Sequence, residues 1–304
     1  MNTNSFLGVS SEGFHRVSYN EWGQPNPQHP AIFCVHGFLR NSHDFDALSH
    51  FLSLQGRHLF CPDLAGRGNS DWFKNPTHYT FEQYIADLTT LIARSSAKEV
   101  DWIGTSLGGL IGMMMAALPN TPITRLVMND IGPQIPIAAL KRIANYTTTS
   151  PTFFSKEEAV LYYKKIYADF GDLSESQWEE FTLHSILERP SGAYAPKCDP
   201  NILHNKTHAQ FLWELMHHPH KALEGIFYDV NLWSIWEQIK CPVLIIHGRH
   251  SDFLRLEHIA KMQRTHPNTE VIEVDDAGHA PALLNTKEHE KIAAWLKNTA
   301  PTKP

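Results

Sequence analysis

The sequence predicts an α/β protein in which a largely parallel sheet is interrupted by a helical insertion. Three observations carry this. Ala31-Ile32-Phe33-Cys34-Val35, the amphipathic stretch Asp44 to Leu54 and the run Arg57 to Cys61 read as strand, helix, strand, the rhythm of a parallel sheet. Val100 to Ile103 is an apolar run that enters the sharp turn Gly104-Thr105-Ser106-Leu107-Gly108 and leaves it as an uncharged helix from Leu110 to Leu118. After Pro133 the alternation stops, and to about Gln238 the chain is helix-like and aromatic before strand character returns at Cys241 to Ile246.

In order, Gly13 to Trp22 reads as an early strand and Gln24 to Pro30 as a proline-rich turn. Asp63 to Trp72 is a long loop whose glycines, Gly66 and Gly68, permit tight turns. Thr80 to Ser95 is predicted as a helix, with Thr80 at its cap and Glu82-Gln83 in its first turn. Arg125 to Met128 is a further strand, closing at Asn129-Asp130-Ile131-Gly132-Pro133. Within the insertion, Lys156 to Phe170, Glu175 to Glu188 and Thr207 to His217 are the clearest helical segments. The closing elements are a helix from Leu256 to Arg264, a strand from Glu270 to Val274 and a helix from Lys287 to Lys297. No internal repeat or low-complexity stretch is visible.

The 304 residues suffice for one large domain or one domain with an insertion, and 42% hydrophobic with 19% charged residues is an ordinary globular balance. A net charge of -6 argues against a nucleic-acid or anionic-membrane binder, since such affinity depends on a basic surface. A small molecule is the expected partner. The cysteines Cys34, Cys61, Cys198 and Cys241 show no C-x-x-C spacing and read as buried thiols in a reducing compartment. Met1 to Ser5 is not a basic region leading into an apolar one, and Leu107 to Leu118 is too short to span a bilayer. A cytoplasmic monomer or homodimer without stable membrane insertion is the expectation.

The turn around Ser106 has a chemical reading of its own. Small neighbours relieve backbone crowding at a tight strand-to-helix turn, and the serine hydroxyl is then held at a helix N-terminus, where free N–H groups and the helix dipole favour a developing oxyanion. With this elbow, the His36-Gly37 strand end, the Ser251-Asp252 strand end and Gly278-His279 in that order, the sequence resembles the α/β-hydrolase superfamily over roughly residues 14 to 132 and 239 to 298. The resemblance implies a mostly parallel, eight-stranded sheet flanked by helices, with a core from 1–132 and 239–304 and a helical cap, 133–238, inserted before the last two strands.

It also implies roles. Ser106 would be the nucleophile, and because a serine hydroxyl is almost never ionised near neutral pH it needs a base. His279 is the expected base, in a loop after the last strand. For the acid that orients its imidazole there are two candidates. Asp252, after the strand that follows the insertion, is preferred, and Asp130, after the strand that precedes it, is the alternative. The oxyanion donors would be the backbone amides of Phe38 and Leu107. Read from their positions, Asp63 and Asp71 stabilise the Gly66–Gly68 loop, Asp275 and Asp276 belong to a strand-end turn, and His36 stabilises its own turn.

Leu39, Trp72, Trp213 and Trp233 are candidate pocket residues, with Phe38, Phe73, Phe227, Tyr228 and Trp236 adding to the aromatic character; an aromatic joint between cap and core is the alternative reading. His217-His218-Pro219-His220 reads as an exposed helix end rather than a metal site. No cofactor or metal is expected. The expected function is hydrolysis of carboxylic esters with small to medium apolar acyl or alkyl groups through an acyl-enzyme. Lactone, thioester or carbon-carbon bond hydrolysis, acyl transfer, including transfer to peroxide, and a non-catalytic ligand receptor are the alternatives. Serine at the elbow argues against epoxide hydrolases and haloalkane dehalogenases, and the absence of His-Gly-Gly-Pro-Gly argues against proline iminopeptidases.

Overall fold

A computed structural model describes residues 1–147, 150–202, 216–218 and 228–302. Its main sheet has eight strands: β1 (Asn2–Ser10), β2 (Gly13–Trp22), β3 (Ala31–Val35), β4 (Leu59–Pro62), β5 (Val100–Thr105), β6 (Ile123–Asn129), β11 (Val243–Gly248) and β12 (Thr269–Val274). They lie in the order β1-β2-β4-β3-β5-β6-β11-β12. From β4 to β12 every pairing is parallel, whereas β2 runs antiparallel to both its neighbours. The early strand read from Gly13 is therefore the second arm of a hairpin.

Period-2 geometry explains the two-sided core. Along β3, Phe33 and Val35 pack on one side with Trp102 and with Leu88 and Leu91 of α2 (Phe81–Ser95), while Ile32 and Cys34 pack on the other with Leu48 and Leu52 of α1 (Asp46–Ser53). Complete burial of each such leucine contributes about 1.5–3 kcal/mol. α3 (Leu107–Ala116) and α8 (Leu256–Thr265) add to the first side, and α9 (Thr286–Asn298) to the second. The predicted start of α2 is present as a cap: the Thr80 hydroxyl accepts from the Gln83 N–H at 3.3 Å.

The stretch from 133 to 238 holds α4 (Ile137–Thr147), α5 (Lys156–Ile166), α6 (Glu175–Ser185) and the short α7 (Trp233–Trp236) among the described residues. Ser174 and Gln177 close a reciprocal capping box at the start of α6. Short strands also occur here, where the sequence reading found none of strength. β8 (Ile186–Glu188) pairs with β9 (Tyr194–Pro196), and β7 (Gln134–Ile135) with β10 (Val230–Asn231). The helix predicted from Thr207 lies, up to residue 215, outside the described residues, as do Trp213 and Phe227. No helix among the described residues is long and apolar enough to cross a membrane. All four cysteines are free.

Candidate active site

β5 delivers the serine. Ser106 has φ 50° and ψ -111°, a backbone conformation that side chains other than glycine rarely adopt, and it caps α3. The glycines make this possible: a β-carbon on Gly108 would come within 2.0 Å of the Val35 carbonyl oxygen, and one on Gly104 within 2.3 Å of Gly108. The Trp102 indole donates to the Gly108 carbonyl at 2.9 Å, and the Ser106 N–H donates to Asn129 O at 3.0 Å. Asn129 ties the elbow to the histidine loop, its side-chain amide donating to Thr105 Oγ1 at 3.1 Å and to Pro281 O at 2.8 Å.

The structure brings together Ser106, His279 and one of the two candidate carboxylates. His279 Nε2 lies 3.0 Å from Ser106 Oγ, and His279 Nδ1 lies 2.9 Å from Asp130 Oδ2. The preference for Asp252 is corrected here. Its carboxylate is about half exposed and holds Arg142 of α4 in a two-pronged pair, Nε to Oδ2 at 2.7 Å and Nη2 to Oδ1 at 2.6 Å. The physical reason is a choice between adjacent strand ends. β6 and β11 are neighbours, and the left-handed backbone at Asp130, φ 53°, turns its side chain into the sheet edge.

Asp130 is fully buried and saturated with donors. Oδ1 accepts from Gly248 N–H at 3.0 Å and faces His247 Nδ1 at 3.3 Å; Oδ2 accepts from the Ser251 hydroxyl at 2.5 Å as well as from His279. Burial by itself pushes this carboxyl up, but the hydrogen bonds from His247, His279 and Ser251 outweigh it and hold it below its ordinary value, so it stays a carboxylate. Sequence reasoning assigned no role to His247 or Phe253, and marked Ser251 only as part of the strand end before Asp252. Phe253 stacks on the His279 imidazole with 3.8 Å between ring centroids and 14° between planes. The run from His247 to Phe253 at a strand end, with its His, Ser and Phe, was the available signal.

The turn His36–Arg40 runs past the serine, since a β-carbon on Gly37 would sit 3.8 Å from Ser106 Cβ. His36 fixes this turn. Its Nε2 accepts from Leu64 N–H at 3.0 Å, so its Nδ1 carries the proton and donates to Gly37 O at 2.7 Å. Burial, with the charges of Arg67 and Arg40 adding to it, lowers the His36 pKa to about 3 and keeps the ring neutral. With the Gly37 carbonyl anchored, the Phe38 N–H leaves the opposite edge of the same peptide plane. Leu107, the first residue of α3, has an N–H with no intrahelical acceptor.

Other expectations sort themselves by contact. Asp63 accepts from Ser42 N–H and Asn69 N–H, each at 2.8 Å; the Asp71 carboxylate accepts from Arg16 N–H at 2.7 Å, on β2, while its backbone carbonyl accepts from Gly66 N–H at 2.9 Å. Asp275 pairs with Arg249, and Asp276 accepts from Asp172 N–H. Among the pocket candidates, Trp233 is a correction: it is buried in the core, donates to Gln134 Oε1 at 3.1 Å and lies under Lys261. Leu39 is half-buried beside Phe38, Trp72 is 43% exposed, and Trp213 lies outside the described residues. His217 and His218 are exposed.

Residues 30–286 match the family model described as alpha/beta hydrolase fold. The chain belongs to this family. The hydrolase is 36% identical over 286 residues to a 3-hydroxybutyrate-oligomer hydrolase from Cupriavidus necator, with 91% of each chain covered. In structure it resembles a putative hydrolase from Rickettsia typhi, at a TM-score of 0.86 and 32% identity over 99% of this chain and 100% of that one. An alpha/beta hydrolase from Novosphingobium aromaticivorans gives a TM-score of 0.80 and 27% identity over 97% and 98% of the two chains.

Proposed function

We propose that this hydrolase cleaves carboxylic esters through Ser106, His279 and Asp130, and that linear oligoesters of short hydroxy acids are its substrate class. The observation that carries the reading is the unbroken hydrogen-bonded chain from Ser106 Oγ through both nitrogens of His279 to a buried, ionised Asp130. In that arrangement His279 holds its proton on Nδ1 and presents the Nε2 lone pair to the serine hydroxyl. Ser106 Oγ attacks the ester carbonyl as Nε2 takes its proton, and the Phe38 and Leu107 N–H groups receive the oxyanion. The C–O bond then breaks and the alcohol leaves with the proton from Nε2; water, giving a proton to His279, attacks the acyl-enzyme, and the acid leaves as the Ser106 Oγ–acyl bond breaks and Nε2 returns the proton to Oγ. The 36% identity to the 3-hydroxybutyrate-oligomer hydrolase across nearly the whole of both chains supports the choice of oligoester.

The test is hydrolysis of p-nitrophenyl esters from acetate to long-chain acyl, alongside the linear dimer and trimer of 3-hydroxybutyrate, with Ser106→Ala as control. Serine-dependent release of 3-hydroxybutyrate, together with a short-chain optimum in the series, is the expected result. Loss of about 10⁴-fold or more in kcat is expected for Ser106→Ala. Turnover that survives the substitution would refute the mechanism. Serine-dependent cleavage of p-nitrophenyl esters without cleavage of the oligomers would refute the substrate class alone.

A further inference from the structure

We propose that Arg67 is a positioning residue for the oxyanion turn and that the chain segment Lys197–Asp199 holds it in place, an inference that rests on the esterase reading above. Arg67 is completely buried, yet its hydrogen bonds run to neutral acceptors: Nε to Phe38 O at 2.9 Å, Nη1 to Ala65 O at 2.8 Å and Nη1 to the Tyr84 hydroxyl at 2.5 Å. Among the described residues Nη2, itself buried, has no hydrogen-bond partner. The guanidinium is flanked by the rings of Phe38, Tyr79 and Tyr84 at 5.4, 5.8 and 5.1 Å. A buried cation without a carboxylate hydrogen-bonded to it is expensive, and packing alone would be served as well by an apolar side chain.

What the cation holds is informative. His36 fixes the Gly37 carbonyl and Arg67 fixes the Phe38 carbonyl, so the peptide planes on both sides of Phe38 are pinned from behind. The N–H between them is the proposed oxyanion donor. Arg67 does not need to reach the substrate to affect it; it acts through the orientation of Phe38, in a desolvated setting where a misdirected dipole is felt strongly.

Arg67 is itself aimed by the segment that follows β9. Its backbone forms an antiparallel bridge with Cys198, bracketed by Gly68 N–H to Lys197 O at 3.0 Å and Asp199 N–H to Gly66 O at 2.8 Å. The Asp199 carboxylate accepts from the Tyr79 hydroxyl at 2.5 Å, and the Tyr79 ring lies so close to Gly66 that a β-carbon there would come within 2.6 Å of it. A stretch of the insertion is thus connected to the oxyanion turn through one loop and one arginine.

The experiment compares p-nitrophenyl butyrate with its thiono analogue, in which sulfur replaces the carbonyl oxygen, on the full chain. Sulfur accepts N–H hydrogen bonds poorly, so an intact oxyanion hole prefers the oxo ester. Arg67→Met is expected to lower kcat by about 10²-fold with KM within about threefold, and to reduce the oxo-over-thiono preference about tenfold. Arg67→Lys, which keeps a donor, should recover part of both. Asp199→Ala leaves Arg67 in place, serves if Arg67→Met fails to fold, and should move kcat and the preference in the same direction by about fivefold. A change in KM alone, or a fall in kcat with the oxo-over-thiono preference unchanged, overturns the proposal. Wild-type protein without Ser106-dependent turnover of either ester overturns the esterase reading itself; active wild type with unaltered variants overturns this proposal only.

Discussion

Asparagine at position 130 would test the buried end of the hydrogen-bonded chain. Each oxygen of Asp130 faces two donors: Gly248 N–H and His247 on one side, the Ser251 hydroxyl and His279 on the other. An amide in the same place must turn its NH₂ toward one of these pairs. If it faces His279, the imidazole relieves the clash by moving its proton to Nε2, and that nitrogen can no longer take a proton from Ser106. If it faces Gly248, an immovable backbone donor opposes it, at a cost of about 1–3 kcal/mol in stability. The imidazolium formed during attack also loses its counter-charge in either case. A fall of about 10³–10⁴-fold in kcat, or about 4–5.5 kcal/mol in barrier, follows. Asp252→Asn removes one arm of a half-exposed ion pair, worth about 0–1 kcal/mol, and should change kcat less than about twofold. The assay is kcat and KM on a short p-nitrophenyl ester, with circular dichroism to establish folding. Asp252→Asn proving as damaging as Asp130→Asn would refute the assignment.

Two further outcomes are expected. Gly108→Ala, although alanine is ordinarily favoured in a helix by about 1 kcal/mol, should destabilise the protein by about 3 kcal/mol or more, because its methyl meets the fixed Val35 carbonyl; an unchanged thermal midpoint would contradict the close approach. Acid sensitivity should come in part from His36: with a folded pKa of about 3 against about 6.5 in the unfolded chain, the unfolded state binds the extra proton between those values. Stability therefore rises with pH across that window and is lost as pH falls through it, by roughly 5 kcal/mol at most from this residue. Asp130, held below its ordinary value, adds to the loss only below about pH 4. Denaturant unfolding of His36→Gln should show a shallower fall in stability from pH 6 to pH 4 than wild type, and equal slopes would sink this account.

Much of the sheet was legible because fully buried parallel strands are short apolar runs bounded by turns, as at Ala31–Val35 and Val100–Thr105. β1 escaped notice because Asn2 to Ser5 is polar and its inward positions are Phe6 and Gly8, too little for a period-2 signal. Position along the chain marked both Ser106 and His279 for the site. It could not choose between Asp130 and Asp252, whose strands are neighbours in the sheet; the choice depends on a single backbone torsion and on Arg142, 110 residues away from Asp252. The same limit applied to Trp233. An aromatic residue in a return segment looks alike whether it faces a ligand or, as here, Gln134 and the core.

His279 is held from an unexpected direction. Asp169 O, in the turn after α5, accepts from Gly278 N–H at 2.7 Å, and Phe170 O accepts from Ala282 N–H at 3.0 Å, so residues of the stretch between β6 and β11 grip the loop on both sides of His279. Enzymes of this architecture invite modular engineering, in which one insertion is exchanged for another to alter the range of molecules accepted. In this chain such a graft would remove two of the backbone tethers that keep the imidazole in line with Ser106, so a transplanted insertion must carry its own equivalents of the Asp169 and Phe170 carbonyls or deliver a well-folded but idle enzyme.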